Sequence, residues 1–253
     1  MIELSIQFKK NEGLFLNPTE LKQLYLYGIK IQAKDGTEIS ESTWLMYIKS
    51  AQEQIEKFFG IKLFRQIISE DISFYRDEFE QFGFIRTNYP VVSPKYLGGF
   101  IGTIKQIEYP TEWLSSKKTN DGYSYNRQLY IVPNYSAAKT GSLVYNGVIP
   151  YLGILGYSQI PNYWTVNYVT GYTKLPMDLV NLIGMLATIG PLGIAGDLIL
   201  SPGVSSQSLG IDGLSQSFNS KAFDDRIKLY IGQIKEIISR LKSTYKGINI
   251  SSM

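Results

Sequence analysis

The sequence predicts a protein of the α+β class, in which N- and C-terminal helices form a helical bundle that carries a central β-rich insertion. Three observations lead to this expectation. Apolar residues recur at helical spacing after Ser40, and again from Ala222 to Tyr245. Between Ile61 and Thr170 the pattern changes to short runs of Ile, Val, Tyr and Phe separated by Pro, Gly and Asn.

Residues 1–60 are predicted to contribute one strand and two helices to the bundle. Residues 1–8 alternate apolar and polar side chains, as a short strand does. Asn17 is a good N-cap, followed by Pro18 at the first helical position and Glu20 three residues after the cap. Ser40 is predicted to begin a second helix that ends at Gly60.

Residues 61–174 are predicted to form the β-rich domain. Asp121-Gly122 and Asn146-Gly147 are pairs typical of hairpin turns. The segments predicted as strands are FGFIRT, GTIKQIEY, RQLYIV, SLVYNGVI and WTVNYVT.

Residues 175–247 are predicted to return to helix. Pro176 suits a helix start, and Gly190-Pro191 is expected to stop or bend that helix and to produce a buried helix pair. The apolar window from Leu179 to Ile194 is shorter than a membrane span needs, so no membrane partner is expected.

The Ser/Gly-rich run 201–220 separates these helical segments and allows two interpretations. Its composition is typical of a disordered loop. However, long structureless loops are uncommon in compact domains, and this one repeats Ser-Gln-Ser on both sides of Asp212-Gly213. We therefore favour a hairpin arm that binds a partner. The tail 248–253 is likewise either a frayed end or a docking strand.

The composition excludes several kinds of chemistry. The chain contains no cysteine and no histidine, which rules out disulfides, Cys/His zinc sites and histidine-based catalysis. Its net charge is only +3 and its basic residues do not cluster, so a dedicated nucleic-acid patch is not expected. The start MIELSIQFKK lacks the apolar segment of a signal peptide. No phosphate-binding or dinucleotide motif is present, and the sequence predicts neither a cofactor nor an enzyme.

Two other functional hypotheses stay open at this point. Aromatic residues make up 13% of the chain, which suits either interfaces or β-sheets. A carbohydrate-binding tail or surface module would use the aromatic side chains Trp113, Tyr123, Tyr125, Tyr151, Tyr157, Tyr163 and Trp164. A hydrolase would use a carboxylate pair from the acidic group Glu70, Asp71, Asp77, Glu78 and Glu80, although a solvated face explains these acids more simply.

Several segments, in order, resemble the head–tail connector (neck adaptor, or head completion) proteins of tailed bacteriophages. The first, LYLYGIKIQAKDGTEISESTWLMYIKSAQEQIEKFFGIKLFRQ, contains a hydroxyl-capped helix at Ser40, then Ala51, Ile55-Glu56 and the turn Gly60-Ile61. The others are NYPVVSPKYLGG, VNYVTGYTKLPMDLVNLIGMLA and GDLILSPGVSSQSLGIDGLSQSFNSKAF. The resemblance extends from Leu14 to Gly247.

The resemblance implies a structural virion protein that forms a ring, dodecameric in such proteins, beneath the portal. This ring would join the DNA-filled capsid to the tail, line the channel through which genomic DNA passes without sequence reading, and bind the next neck or tail protein. It implies a location in the virion neck, with assembly in the host cytoplasm. Residues expected to contact the portal or a neighbouring subunit are Ser206, Ser208, Leu209, Ile211, Leu214, Ser215, Phe218, Ile248 and Ile250.

Overall fold

The computed structural model of the chain describes residues 13–32, 36–77, 84–117, 126–132, 158–200, 206–211, 214–219 and 223–245. The chain divides into two compact units. A terminal unit combines Met1–Gly60 with Lys174–Met253, and a central unit comprises Ile61–Thr173. The strand predicted at residues 1–8, the SLVYNGVI segment and both predicted turns of the β-rich domain lie outside the described residues.

Among the residues described, the terminal unit has four α-helices: α1 (Pro18–Tyr25), α2 (Glu41–Phe59), α3 (Met177–Leu200) and α4 (Asp224–Tyr245). Local signals set the ends of the first two helices. Asn17 and Glu20 form a reciprocal capping box at the start of α1. Ser40 caps the start of α2, and Gly60 ends it in the left-handed conformation at φ 61°. The predictions for both of these helices are therefore confirmed.

Helix α3 is the buried centre of the terminal unit. Every residue from Leu182 to Ile189 is buried, and α3 contacts α1, α2 and α4. The expected break at Gly190-Pro191 is wrong, because one continuous helix passes through Pro191. A proline costs a helix one internal hydrogen bond, and burial of the surrounding apolar side chains offsets that loss.

Helix α3 also has the length and composition of a membrane span over Met177–Ala195. However, 67% of that window is buried inside the protein. A core helix shares this composition, so the hydropathy is accounted for by packing against the other helices.

The central unit contains seven strands in two antiparallel sheets, among the residues described. The first sheet has the order β1-β7-β3-β4 and the second has the order β2-β6-β5. Their bounds are β1 (Gln66–Tyr75), β2 (Phe84–Arg86), β3 (Ser93–Ile101), β4 (Ile104–Glu108), β5 (Leu114–Ser115), β6 (Gln128–Ile131) and β7 (Gln159–Thr170). A short 3₁₀ turn, Thr111–Trp113, precedes β5.

Both sheets of the central unit contribute side chains to one aromatic-rich core. The first sheet provides Phe74 and Trp164, and the second provides Ile85 and Leu129. The rings of Tyr163 and Trp164 meet edge to face with centroids 4.7 Å apart. The many aromatic residues of this segment therefore serve, in large part, to fill the core.

The predicted fold class is wrong in its main point. The fold is a mixed α/β arrangement of four helices and antiparallel sheets, with helices spread along the chain around a central β-rich region. It is not a bundle of N- and C-terminal helices, because α1 is only 8 residues long and a β-hairpin separates α3 from α4. Helical periodicity identified the individual helices, but it carries no information on how they pack together.

Two glycines allow a test of the close packing around α3. A Cβ at Gly184 would overlap the ring of Tyr25, whereas a Cβ at Gly232 in α4 would meet nothing within 4 Å. The Tyr25 ring cannot easily move, because its hydroxyl donates to Asn181 at 3.0 Å and its backbone oxygen accepts from Tyr230 at 2.6 Å.

We predict that Gly184→Ala lowers the free energy of unfolding by about 1–3 kcal/mol, the usual cost of overpacking. Gly232→Ala is the matched control and should raise it by roughly 0.5–1 kcal/mol, because alanine has the higher helix propensity. Urea unfolding followed by the helical circular dichroism signal measures both. Equal effects of the two substitutions would show that Tyr25 does not constrain this position.

Candidate functional site

The Ser/Gly-rich run predicted as an arm contains a two-stranded β-hairpin. Strand β8 (Ser206–Ile211) pairs antiparallel with β9 (Leu214–Asn219), and Ile211 lies opposite Leu214. The prediction of a hairpin with Asp212-Gly213 between its strands is thus confirmed for the backbone. The two connecting residues themselves lie outside the described residues.

The register of the hairpin separates its residues into two chemically different faces. Directly opposed residues share a face of an antiparallel pair, and faces alternate along each strand. One face, here called the apolar face, contains the pairs Gln207–Phe218, Leu209–Gln216 and Ile211–Leu214. The other, here called the hydroxyl face, contains Ser206–Asn219, Ser208–Ser217 and Gly210–Ser215. Neither face includes a charged residue.

Seven of the nine residues predicted to bind a partner lie in this hairpin. The structure brings Leu209, Ile211, Leu214 and Phe218 onto the apolar face, and Ser206, Ser208 and Ser215 onto the hydroxyl face. It does not address the other two, because Ile248 and Ile250 lie outside the described residues. The register therefore places the apolar residues and the serines of the predicted binding set on opposite faces of the hairpin.

An isolated two-stranded hairpin is marginally stable. Among the strands described, β8 and β9 pair only with each other, which leaves one edge of each strand without a partner in that set. Strand β9 lies close to α3 of the same chain, within the terminal unit. The hairpin can form further contacts in two ways: by pairing its edges with another strand, or by burying the apolar face.

The aromatic residues considered for carbohydrate binding do not form an exposed platform in the part of the chain that the structure describes. Trp113, Tyr163 and Trp164 are all buried in the core of the central unit. The remaining four, Tyr123, Tyr125, Tyr151 and Tyr157, lie outside the described residues. Stacking on a sugar requires an accessible ring face, which the three buried rings lack.

Two of the five acids considered for hydrolysis, Glu70 and Asp71, are engaged in structural hydrogen bonds. Glu70 accepts from the Tyr168 hydroxyl at 2.9 Å and from the Asn88 backbone and side-chain amides at 3.0 and 2.6 Å. Asp71 accepts from the Thr165 hydroxyl at 2.7 Å. Asp77 follows β1 and is exposed, whereas Glu78 and Glu80 lie outside the described residues. No group of three or more acids that could hold a metal occurs among the residues described.

Strand β1 is absent from the strands predicted from sequence, because its acids were interpreted as a solvated face. The signal was present as alternation, because Ile68, Ile72 and Phe74 all pack on the core of the central unit. Glu70 lies on the same face of the strand as these apolar residues, and its carboxylate accepts a hydrogen bond from the Tyr168 hydroxyl. Its charge concealed the pattern, since its hydrogen-bond partner is 98 residues away in the sequence.

No family model matches this chain, and no curated protein matches it at a significant level.

Burial of the tyrosines predicts how the central unit responds to alkali. Burial raises the pKa of Tyr163 to about 12, above its ordinary value of 10.0. The pKa of Tyr109 is raised by burial and by Tyr163, and that of Tyr168 is raised by burial and by Glu70. A raised folded-state pKa means that the stabilisation is complete below pH 10 and is lost as the pH rises toward the folded-state pKa.

We therefore expect these three tyrosines to ionise only together with unfolding of the central unit, above pH 10. The chain has 19 tyrosines, so only the part of the tyrosinate absorbance change that comes from these three should coincide with the change in tryptophan fluorescence. The substitution Tyr163→Phe should remove part of the absorbance change that accompanies unfolding. Complete tyrosine ionisation while the fluorescence stays native would show that these rings are accessible, as a sugar-stacking site requires.

Proposed function

We propose that this chain is a structural virion protein, a head–tail adaptor that forms a ring under the portal of a tailed bacteriophage. In this role it joins the DNA-filled capsid to the tail and lines the DNA channel. Its partners are the portal protein, copies of itself in a ring of twelve, and the next neck or tail protein. It acts without catalysis and without a cofactor.

The observation that carries the proposal is the hairpin Ser206–Asn219, between the two longest helices of the chain. It lies in one of the segments through which the sequence resembles phage neck proteins. An adaptor needs a projecting element that is ordered by contact with another subunit. A hairpin with open edges and an apolar-bearing face meets that need, because edge pairing and apolar burial both stabilise it on docking.

The hydroxyl face suits a surface past which DNA moves. Phosphate groups bind strongly to Lys and Arg and release counterions when they do so, which would hold DNA in place. Serine and asparagine side chains remain hydrated and carry no fixed charge, and glycine adds no side chain. We therefore assign the hydroxyl face to the channel and the apolar face to the portal or to the neighbouring subunit.

The proposal predicts that deleting residues 205–217 leaves the protein folded but prevents ring formation or portal docking. Circular dichroism and thermal unfolding report whether the deleted protein folds. Negative-stain microscopy and sedimentation with purified portal report rings and complexes. Rings and portal complexes that form normally without the hairpin would contradict the proposal.

Face-specific substitutions sharpen the test. The triple change Leu209→Ser, Leu214→Ser and Phe218→Ser should weaken assembly by about a thousandfold or more, because each of the three buried apolar side chains contributes about 1.5–3 kcal/mol. The matched control replaces Ser206, Ser208 and Ser217 by alanine on the hydroxyl face and should leave assembly unchanged. The reverse ranking would show that the two faces are assigned the wrong way round.

A further inference from the structure

The two ends of the central unit lie side by side. The Tyr172 backbone nitrogen donates to the Leu63 carbonyl at 3.2 Å, and Phe64 and Tyr172 form a parallel β-bridge. The Arg65 guanidinium donates to the Thr173 hydroxyl at 3.3 Å. The segments 63–65 and 171–173 together are here called the stem, and both lie within the central unit.

Gly171 permits the close approach of the two stem segments. Its φ is 88°, in the left-handed region that side chains disfavour, and a Cβ at this position would overlap the Phe64 carbonyl oxygen. The backbones of the stem are therefore in direct contact at this point, with no side chain between them. The folded central unit consequently holds its first and last residues together.

The terminal unit is assembled from two parts of the chain that the central unit separates. Helices α1 and α2 come from the first part, whereas α3 and α4 come from the second. Because α3 packs against α1 and α2, neither part can bury all of its apolar residues alone. Folding of the terminal unit therefore requires the closure of a loop of more than one hundred residues.

The stem shortens the loop that the terminal unit has to close. The entropic cost of closure grows as (3/2)RT ln n, where n is the number of flexible residues in the loop. When the central unit is unfolded, n exceeds one hundred. When the stem is formed, n falls to about five, and the folding equilibrium constant of the terminal unit becomes about 100-fold more favourable. Because coupling of this kind is reciprocal, the folded terminal unit favours folding of the central unit by the same factor.

We propose that the stem makes the folded central unit a clip that joins the two parts of the terminal unit, so that each unit stabilises the other through the chain ends. A partner that binds only the folded form of the central unit thereby also stabilises the terminal unit, and the reverse holds as well. The proposal is independent of the adaptor function, because it rests on chain connectivity and the stem and not on the hairpin.

Substitutions in the core of the central unit test this coupling in the intact protein. Val166→Asp puts a charge at a fully buried position of β7 and should unfold the central unit. Ile67→Asp makes a similar change at a position of β1 that is 70% exposed, and is the matched control. Hydrogen exchange followed by mass spectrometry reports the two units separately, through peptides from β7 and from α3. Val166→Asp should remove the protection of β7 and lower that of α3 by about 100-fold, whereas Ile67→Asp should change neither.

A disulfide across the stem separates loop closure from other effects of unfolding the central unit. The chain contains no cysteine, so Phe64→Cys together with Tyr172→Cys introduces the only two thiols. Paired strands lie about 4.8 Å apart, which is within the Cα separation that a disulfide spans. In the Val166→Asp protein, the oxidised pair should protect α3 about 100-fold more than the reduced pair does. With valine retained at position 166, the two forms should differ far less, because the folded central unit already closes the stem.

A second core substitution shows whether the effect depends on the residue that is replaced. Leu129→Asp, at a buried position of the second sheet, should lower the protection of α3 as much as Val166→Asp does, because the loss passes through the chain ends. If either variant retains protection in β7, the two substitutions are combined. Unchanged protection of α3 when β7 is unprotected, or a loss in α3 that the disulfide does not recover, would overturn the proposal.

Discussion

The terminal unit depends on burying α3, a helix that is apolar on nearly every side. Such a helix needs neighbours all round, and the chain supplies them from distant segments: α1 and α2 precede the central unit, and α4 follows the hairpin. Close approach is possible because Gly184 and Gly190 leave room for the rings of Tyr25 and Tyr47. The buried hydroxyl of Thr188 is satisfied within the helix by the Gly184 carbonyl at 2.6 Å.

This requirement explains why the two ends of the chain belong to one unit. The segment from Ile61 to Thr173 is inserted between two parts that need each other for burial. The central unit has its own core, and within it β7 is the strand that joins β1 to β3. An insertion with a separate core is able to acquire its own binding surface without altering the packing around α3.

The proposed function places recognition on the hairpin of the terminal unit. The hairpin has chemically distinct faces, and assembly into a ring would use one face for protein and leave the other for the channel. Among the strands described, β8 and β9 pair only with each other, and the side chains of the hairpin would decide what pairs with their outer edges.

The sequence by itself determined the features whose interactions are local. The caps at Asn17, Ser40 and Gly60 act within one helical turn, and the hairpin strands are joined by two residues, so neighbouring residues carry the whole signal. Tertiary structure alone decided the rest. Strand β1 depends on β7, about a hundred residues away, and α3 passes through Pro191 because other helices bury it. Trp113 and Trp164 lie in the core that both sheets of the central unit build. These outcomes depend on long-range contacts, which the pattern of a single segment does not encode.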